Sequence, residues 1–349
     1  RIGGDEFGLI IKKVSQKENI LKEIEKIKGT VKNPFIIENQ KIYIFINIGI
    51  SFYPKDGKTK EELIAAAEAA LKESKKIGSN TFEIYNPLMK KENFEFLTLE
   101  NELRNAVKNE EFRLFFQPIV ELRTGKIVGA EALLRWFSPK RGLVSPLTFI
   151  PILEETSLIH EVGNFVFYEA AKYAKKWEKS GIYISVNISP SQVVLGNLLE
   201  TAIKSTEFFS LDPSRLVIEL TETVLMENLN KSKEEIERLN RYGIKMFIDD
   251  FGTGYSSLSY LKNLPFYAVK IDRSFIKDIP EDEDDIKISK AIINLAHSLD
   301  KKVVAEGIET KEQFEYMKAL DCDFGQGYLF SKPVSPEEFD KLLRSKTVG

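Results

Sequence analysis

Acidic and amide side chains recur along the second part of the chain, each near the end of a short apolar segment, and one lysine stands among them. Carboxylate and amide oxygens are the ligands that hard cations such as Mg²⁺, Mn²⁺ or Ca²⁺ prefer. Carboxylates that converge on one place repel one another unless bound cations neutralise them. Metals beside a lysine suit phosphodiester hydrolysis, because the metals activate water and stabilise the leaving oxygen. The residues of this set are Glu131, Asn187, Glu219, Glu222, Asp249, Asp250, Lys270, Asp272, Glu306, Glu309 and Gln326.

A glycine-rich loop follows the two adjacent aspartates of this set. It runs from Asp249 to Leu258 and combines glycines with small hydroxyl residues, which is more than a simple strand-to-helix turn requires. We predict that the position of this loop is coupled to metal binding and that Glu222 anchors it.

Eight strand-like segments, most of them separated by amphipathic helices, must position these residues. We predict the strands at 113–120, 127–134, 182–188, 216–220, 245–248, 267–271, 302–305 and 324–330. The set falls at the carboxyl ends of these segments, where (β/α)₈ barrels carry their active sites. We therefore predict an α/β fold with a TIM-like (β/α)₈ barrel. A Rossmann-type domain is disfavoured, because no Gly-x-Gly-x-x-Gly element follows a first strand.

The composition excludes several other chemistries. A length of 349 residues predicts about two domains. The 2 histidines and 1 cysteine cannot build a multi-histidine zinc site, a cysteine cluster or an internal disulfide. The net charge of −3 argues against binding of polymeric nucleic acid, though not against a pocket for a small phosphate ligand. Cysteine usage and the absence of a visible signal peptide predict a cytoplasmic protein, with a membrane anchor upstream of Arg1 left open.

Residues 111 to about 340 resemble an EAL domain, the phosphodiesterase module specific for cyclic di-GMP. The resemblance covers about two thirds of the chain and rests on motifs that follow one another in order. The matching stretches are Gln117–Val120, Glu131–Trp136, Asn187–Ser189, Glu219–Glu222, Asp249–Leu258, Lys270–Phe275, Val304–Thr310 and Gln326–Phe330.

The resemblance implies that cyclic di-GMP is opened to linear pGpG with the help of two Mg²⁺ or Mn²⁺ ions. The implied metal ligands are Glu131, Asn187, Glu219, Asp249 and Asp250. The implied catalytic and supporting residues are Lys270, Glu306, Glu309 and Glu222, with Lys270 orienting or helping to deprotonate the attacking water. The residues implied to bind the substrate are Gln117, Leu134, Arg135, Asp272 and Gln326.

The N-terminal segment resembles the later part of a GGDEF domain, the diguanylate cyclase module. Gly3–Phe7 carries the name-giving motif, and residues 75–80 resemble a late Lys-x-x-Gly-Arg-Asn element. Ser79 replaces the arginine of that element, which removes a phosphate contact. We predict a partial GGDEF domain over 1–87, a helical connector over 88–108 and an EAL barrel over 109–349. The resemblance further implies GTP as a ligand of the intact GGDEF domain and a homodimer formed through the EAL domain.

Two alternatives to a phosphodiesterase remain open. The chain could be a receptor that binds cyclic di-GMP with weak turnover, or the full-length parent could be a bifunctional cyclase and phosphodiesterase. The intact set of Glu131, Lys270 and Glu306 favours catalysis.

Overall fold

The computed structural model describes residues 1–12, 17–38, 40–195, 197–227, 229–254, 261 and 264–345. The chain forms two compact units, Arg1–Thr98 and Leu99–Gly349. Within the described residues, no helix is both long and apolar enough to span a bilayer.

The first unit is a small α/β arrangement. Strands β3 and β4 pair in parallel, and helix α2 is the crossover between them. A Cβ on Gly49 of β3 would lie 2.0 Å from the carbonyl oxygen of Ala67, so only a glycine lets the helix pack this closely on the strand. The elements are α1 (Lys17–Val31), β1 (Phe35–Ile37), β2 (Gln40–Ile42), β3 (Ile48–Ile50), α2 (Lys60–Ile77), β4 (Phe82–Ile84) and α3 (Pro87–Lys108), which continues into the second unit.

The second unit is built on a closed sheet. Eight strands are hydrogen-bonded in the order β5-β13-β12-β11-β10-β9-β8-β6, and β6 pairs with β5 to close the barrel. The predicted barrel is thus confirmed. A further short strand, β7, pairs antiparallel with the end of β6 outside the barrel. The strands are β5 (Phe112–Glu121), β6 (Lys126–Ser138), β7 (Gly142–Val144), β8 (Tyr183–Asn187), β9 (Leu216–Thr221), β10 (Lys245–Phe251), β11 (Ala268–Ile271), β12 (Lys302–Ala305) and β13 (Phe324–Gly325).

One strand departs from the regular alternation of parallel strands and helices. β5 runs antiparallel to both of its neighbours, β6 and β13. Only residues 122–125 connect β5 to β6, whereas a parallel crossover needs a dozen or more residues, so the pair must form a hairpin. As a result Glu131 lies in the middle of β6, opposite Gln117 of β5, and not at the end of a strand as predicted.

Helices cover the outside of the barrel and enclose its main hydrophobic core. The aromatic rings of Phe116, Trp177 and Phe339 pack edge to face or tilted at 4.7–5.9 Å and join β5 to the C-terminal helix. The helices that the described residues form are α4 (Pro146–Glu155), α5 (Ile159–Lys176), α6 (Pro190–Leu195), α7 (Leu198–Phe208), α8 (Glu222–Glu227), α9 (Leu229–Tyr242), α10 (Glu283–Ser298), α11 (Lys311–Ala319) and α12 (Pro336–Arg344).

A plug of apolar side chains fills the centre of the barrel and sets the level of the site. The plug contains Val217, Phe247, Ala268 and Val304, one from each of four neighbouring strands. Alternate residues of a strand face the same side, so the next inward-facing layer lies two residues further along each strand. That layer consists of Glu219, Asp249, Lys270 and Glu306.

Candidate active site at the carboxyl mouth of the barrel

Lys270 is the centre of the site. It is a fully buried lysine, with 1% of its side chain exposed, and it lies on β11. Its Nζ atom lies 2.6 Å from carboxylate oxygens of both Glu219 and Glu306, 3.2 Å from Asp249 and 3.5 Å from Glu131. A buried ammonium needs compensating charge. Four ionised carboxylates would exceed that need by three charges, so protons or bound cations must offset the rest.

A chain of amides holds the carboxylate of Glu131 in place. Asn187 donates a hydrogen bond of 2.6 Å to Glu131 Oε1, and Gln326 donates one of 2.6 Å to Glu131 Oε2. The same amide nitrogen of Gln326 lies 2.9 Å from Gln117 Oε1, and Gln117 donates to the carbonyl of Ser331. Both glutamines are buried. They therefore fix a carboxylate of the site, while their predicted contacts with a substrate stay a prediction.

The surroundings of Glu219 and Glu306 favour the protonated forms of these two carboxyl groups. Burial raises the pKa of Glu219 to about 8, and the charges of Glu131 and Asp249 add to the rise although Lys270 opposes it. Burial also raises the pKa of Glu306 well above its ordinary value, again against the opposing charge of Lys270. A divalent cation bound here would displace these protons, because metal ligands must be ionised.

Two groups of the cluster are held in their charged forms. Burial would lower the pKa of Lys270, but the surrounding carboxylates outweigh it and raise that pKa well above the ordinary value. Burial would raise the pKa of Glu131, but Lys270 and the hydrogen bonds from Gln326 and Asn187 lower it. The site therefore contains a permanent ammonium beside a permanent carboxylate.

The donor set fits a hard cation. One carboxylate oxygen from each of Asp249, Asp250 and Glu306 can be chosen so that all three lie within 4.8 Å of one another. Glu219 Oε1 is buried and has no hydrogen-bond partner, so one oxygen of the cluster is free to bind an ion. The ammonium of Lys270 lies among these oxygens and supplies them with one positive charge. The predicted acidic cation site is thus present as a cluster, and oxygen-only donors of this kind suit Mg²⁺ or Mn²⁺ better than soft metals.

The predicted anchor of the glycine-rich loop contacts that loop directly. Glu222 is buried at the start of α8, and its Oε2 accepts a hydrogen bond of 3.0 Å from the backbone N–H of Gly252. Asp250 has a φ of 53° and Gly252 a φ of 102°, so the chain turns through left-handed backbone just after the metal-type aspartates. Residues 255–258 of the predicted loop lie outside the described residues.

The remaining predicted residues lie at the rim. Arg135 is half-buried and donates to the carbonyl of Leu134. Asp272 accepts from the backbone of Ser274 and begins a short 3₁₀ turn. Glu309 lies outside the Lys270 cluster and forms a 2.8 Å ion pair with Arg273. These rim groups are close to the mouth in the fold, but they do not contact the lysine.

Two residues at the rim were not singled out from the sequence. Arg273 pairs with Glu309, and Tyr328 is an exposed aromatic residue within electrostatic range of Arg135. Both lie within stretches that match the family motifs, 270–275 and 326–330, so their place in these motifs was the sequence feature that could have identified them.

The fold and the site together define a barrel protein with an acidic cluster at the carboxyl mouth that could hold a cation. More specifically, the chain belongs to the EAL domain family, whose model matches residues 100–333. Residues 1–81 match the model of the diguanylate cyclase, GGDEF domain. The predicted resemblance of both parts is confirmed. EAL domains are generally metal-dependent, in keeping with the acidic cluster.

Two curated relatives match almost the whole length of this chain. The bifunctional diguanylate cyclase/cyclic di-GMP phosphodiesterase MucR of Pseudomonas aeruginosa is 38% identical over 341 residues, which are 97% of this chain and 50% of MucR. The cyclic di-GMP phosphodiesterase NbdA of the same organism is 35% identical over 349 residues, 99% of this chain and 44% of NbdA. The chain thus spans about half the length of these curated relatives.

A solved structure aligns with the barrel. The PaMucR phosphodiesterase in complex with c-di-GMP covers 69% of this chain and 99% of its own, at 40% identity and a TM-score of 0.67.

Proposed function

We propose that this chain hydrolyses cyclic di-GMP to linear pGpG in a reaction that depends on divalent metal ions. The observation that carries the proposal is the buried Lys270 among four carboxylates at the mouth of an EAL barrel. The names of MucR and NbdA, and the c-di-GMP bound to PaMucR, support the choice of substrate.

Two Mg²⁺ or Mn²⁺ ions would complete the site. Glu131, Asn187, Glu219 and Asp249 would hold the first ion, and Asp249, Asp250 and Glu306 would hold the second. When bound, such ions lower the pKa of a coordinated water and stabilise the oxygen that leaves phosphorus. The unpartnered oxygen of Glu219 and the raised pKa values of Glu219 and Glu306 support this assignment.

The protein groups have distinct tasks in this proposal. Lys270 keeps an ammonium directed at the space between Glu219 and Glu306, where it orients the attacking water and the scissile phosphate. Glu306 accepts a hydrogen bond from Lys270 and fixes its direction. Gln117 and Gln326 hold Glu131, and Arg135 at the rim supplies a guanidinium for a phosphate oxygen. Glu309 and Asp272 support the loops on which these groups lie.

Incubation of the protein with cyclic di-GMP and Mg²⁺, followed by chromatography for pGpG, tests the proposal. We expect pGpG to accumulate with Mg²⁺ and not with excess EDTA, and activity to return when Mg²⁺ is restored. Tight binding of cyclic di-GMP without product, under conditions in which NbdA turns over, would instead establish the receptor alternative.

A second activity is proposed for the intact parent only. The match of residues 1–81 to the GGDEF domain and the bifunctional name of MucR favour a GTP-binding, cyclase-like unit over 1–87, joined by a connector over 88–108 to an EAL unit over 109–349. We propose in addition that two EAL units associate. Consumption of [α-³²P]GTP by the full-length protein and its sedimentation-equilibrium mass would test these two statements separately.

A further inference from the structure

We propose that Gln192 is a positioning residue for Asn187, which it holds at the metal site by fixing the turn that follows β8. The inference rests on the proposed function, because Asn187 serves there as the amide ligand of the first ion. Gln192 lies on α6, three residues beyond the matched stretch Asn187–Ser189, and is not among the residues predicted from the sequence.

The backbone after Asn187 is held at two successive N–H groups. The N–H of Ile188 donates to the carbonyl of Glu219 over 3.0 Å, which extends the pairing of β8 with β9 beyond the end of β8. The N–H of Ser189 donates over 3.0 Å to Oε1 of the Gln192 side chain. In return, the N–H of Gln192 donates to the carbonyl of Ser189 over 3.2 Å. The turn that leads the chain away from Asn187 therefore depends on a side-chain acceptor.

The direction of the Asn187 amide depends on the same turn. Asn187 is the last residue of β8, and its Nδ2 donates over 2.6 Å to Glu131 Oε1. Because Nδ2 is committed to Glu131, Oδ1 is the atom that remains for a cation, and hard cations take the oxygen of an amide. A shift of the backbone at 188–189 would turn both atoms away from the cluster together.

Gln192 is buried, with 7% of its surface exposed. Burial of an amide costs free energy unless its polar atoms are paired. An aliphatic side chain would fill the same space at lower cost, but it could not accept a hydrogen bond from Ser189. The glutamine is thus suited to holding the turn and not only to filling the gap beside α5.

A glycine on α5 makes room for this amide. A Cβ on Gly163 would lie 3.1 Å from Gln192 Cδ and closer still to Nε2. The far end of a glutamine is usually free to move aside, but here the movement would pull Oε1 away from the N–H of Ser189. Gly163 is buried within α5, where alanine has the higher helix propensity. The glycine therefore serves the packing of Gln192 and not the stability of the helix.

The test measures the Mn²⁺ dissociation constant of the full chain by calorimetry, without substrate. Gln192→Ala removes the acceptor and should raise this constant by about tenfold, the lower end of the range for groups that orient a metal ligand. Gln192→Glu keeps an oxygen acceptor and should stay near the wild-type value. Gly163→Ala leaves the glutamine in the chain but displaces it, so the constant should rise in the same direction.

Double variants determine whether Gln192 acts through Asn187. Once Asn187→Ala has removed the amide ligand, the addition of Gln192→Ala should change the Mn²⁺ dissociation constant by less than about twofold, because the two residues act as one unit. Once Gln192→Ala has made room beside α5, the addition of Gly163→Ala should likewise change nothing. A further loss of about tenfold in the Asn187→Ala background would overturn the inference.

Glu235→Ala is the matched control for the loss of a buried helix cap. Glu235 is buried on α9, and its Oε1 accepts a hydrogen bond of 2.9 Å from the N–H of Leu199 at the start of α7. Its removal should lower the Tm and leave the Mn²⁺ dissociation constant unchanged. The same result for Gln192→Ala would mean that this glutamine is a structural cap only, and the inference would fail.

The Mn²⁺ measurement also separates this inference from the proposed function. If the wild type binds Mn²⁺ but forms no pGpG, the proposed function fails, and the variants still decide the role of Gln192. A wild-type chain that binds no Mn²⁺ would overturn both.

Discussion

Lys270 carries the only ammonium or guanidinium in direct contact with the acidic cluster, as far as the described residues go. Lys270→Met keeps most of the length of the side chain and removes its charge and its donors. We expect turnover of cyclic di-GMP to fall by at least about 100-fold, the range for loss of one pre-organised donor at a developing negative charge. Binding of a slowly hydrolysed phosphorothioate analogue, measured with Mg²⁺ by calorimetry, should weaken by less than about tenfold.

The control for this substitution is Lys287→Met on α10, where the lysine is exposed and pairs with Glu283 and Asp284. It should leave both turnover and binding at wild-type levels. Retained turnover in Lys270→Met would contradict the role given to this residue.

The raised pKa of Glu219 predicts a pH dependence of stability without metal. Its pKa is about 8 in the folded protein, because of burial and neighbouring carboxylates, against an ordinary value of 4.5. The folded state therefore holds a proton that the unfolded state has lost, and stability must decrease as pH rises from about 4.5 through about 8. Thermal melts in EDTA between pH 5 and pH 9 should show a falling Tm.

Glu219→Gln isolates this contribution, because the amide has nearly the same shape and does not titrate. The Tm of this variant in EDTA should fall less steeply over the same pH range. Mg²⁺ should raise the Tm of the wild type most at pH 9, where the fewest protons compete with the ion. A Mg²⁺ effect that is largest at pH 5 would disagree with the assignment of this cluster as the metal site.

At the level of elements, the start of α8 holds the loop that follows β10. Glu222 accepts a hydrogen bond from Gly252, and its other oxygen is buried without a partner, 2.7 Å from where a Cβ on Gly254 would lie. Glu222→Ala removes the acceptor and should raise the Mg²⁺ concentration for half-maximal activity several-fold, since Asp249 and Asp250 lead directly into this loop. Titration of the rate with Mg²⁺ measures the effect.

Glu222→Gln retains a carbonyl acceptor and should lie between Ala and wild type. Glu237→Ala, an exposed glutamate on the neighbouring helix α9, should behave like the wild type. An unchanged Mg²⁺ requirement in Glu222→Ala would contradict the predicted coupling between the position of the loop and metal binding.

The sequence predicted the parts of the fold that follow from local periodicity. Glu219, Asp249, Lys270 and Glu306 converge because each follows a strand residue of the apolar plug by two positions, and that period is visible in the sequence. The reversal of β5 was not predicted, although the short connection at 122–125 contains the signal. The contact between Gln326 and Glu131 spans 195 positions of sequence, so no local pattern could reveal it.

For the whole molecule, the net charge of −3 conceals how unevenly the charges are distributed. The Lys270 cluster concentrates four carboxylates around one lysine, so an anionic dinucleotide would be repelled from the mouth until cations bind. Composition could therefore exclude zinc and disulfide chemistry, whereas the location of the acidic centre required the strand order of the closed barrel.

Every residue proposed for hydrolysis lies within the unit Leu99–Gly349, and the helix α3 that leads into it begins at Pro87. Leu99, Leu103 and Ala106 of α3 are buried, so a fragment that contains the second unit must keep this helix from Leu99 onward, and a start at Pro87 keeps the helix whole. We expect residues 87–349 to hydrolyse cyclic di-GMP at a rate within a few-fold of the full chain, measured as pGpG at equal Mg²⁺. The same fragment with Lys270→Met is the negative control. A fragment that melts like the full chain but has lost turnover would mean that the first unit takes part in the active site, and the proposal of a self-sufficient barrel would have to be abandoned.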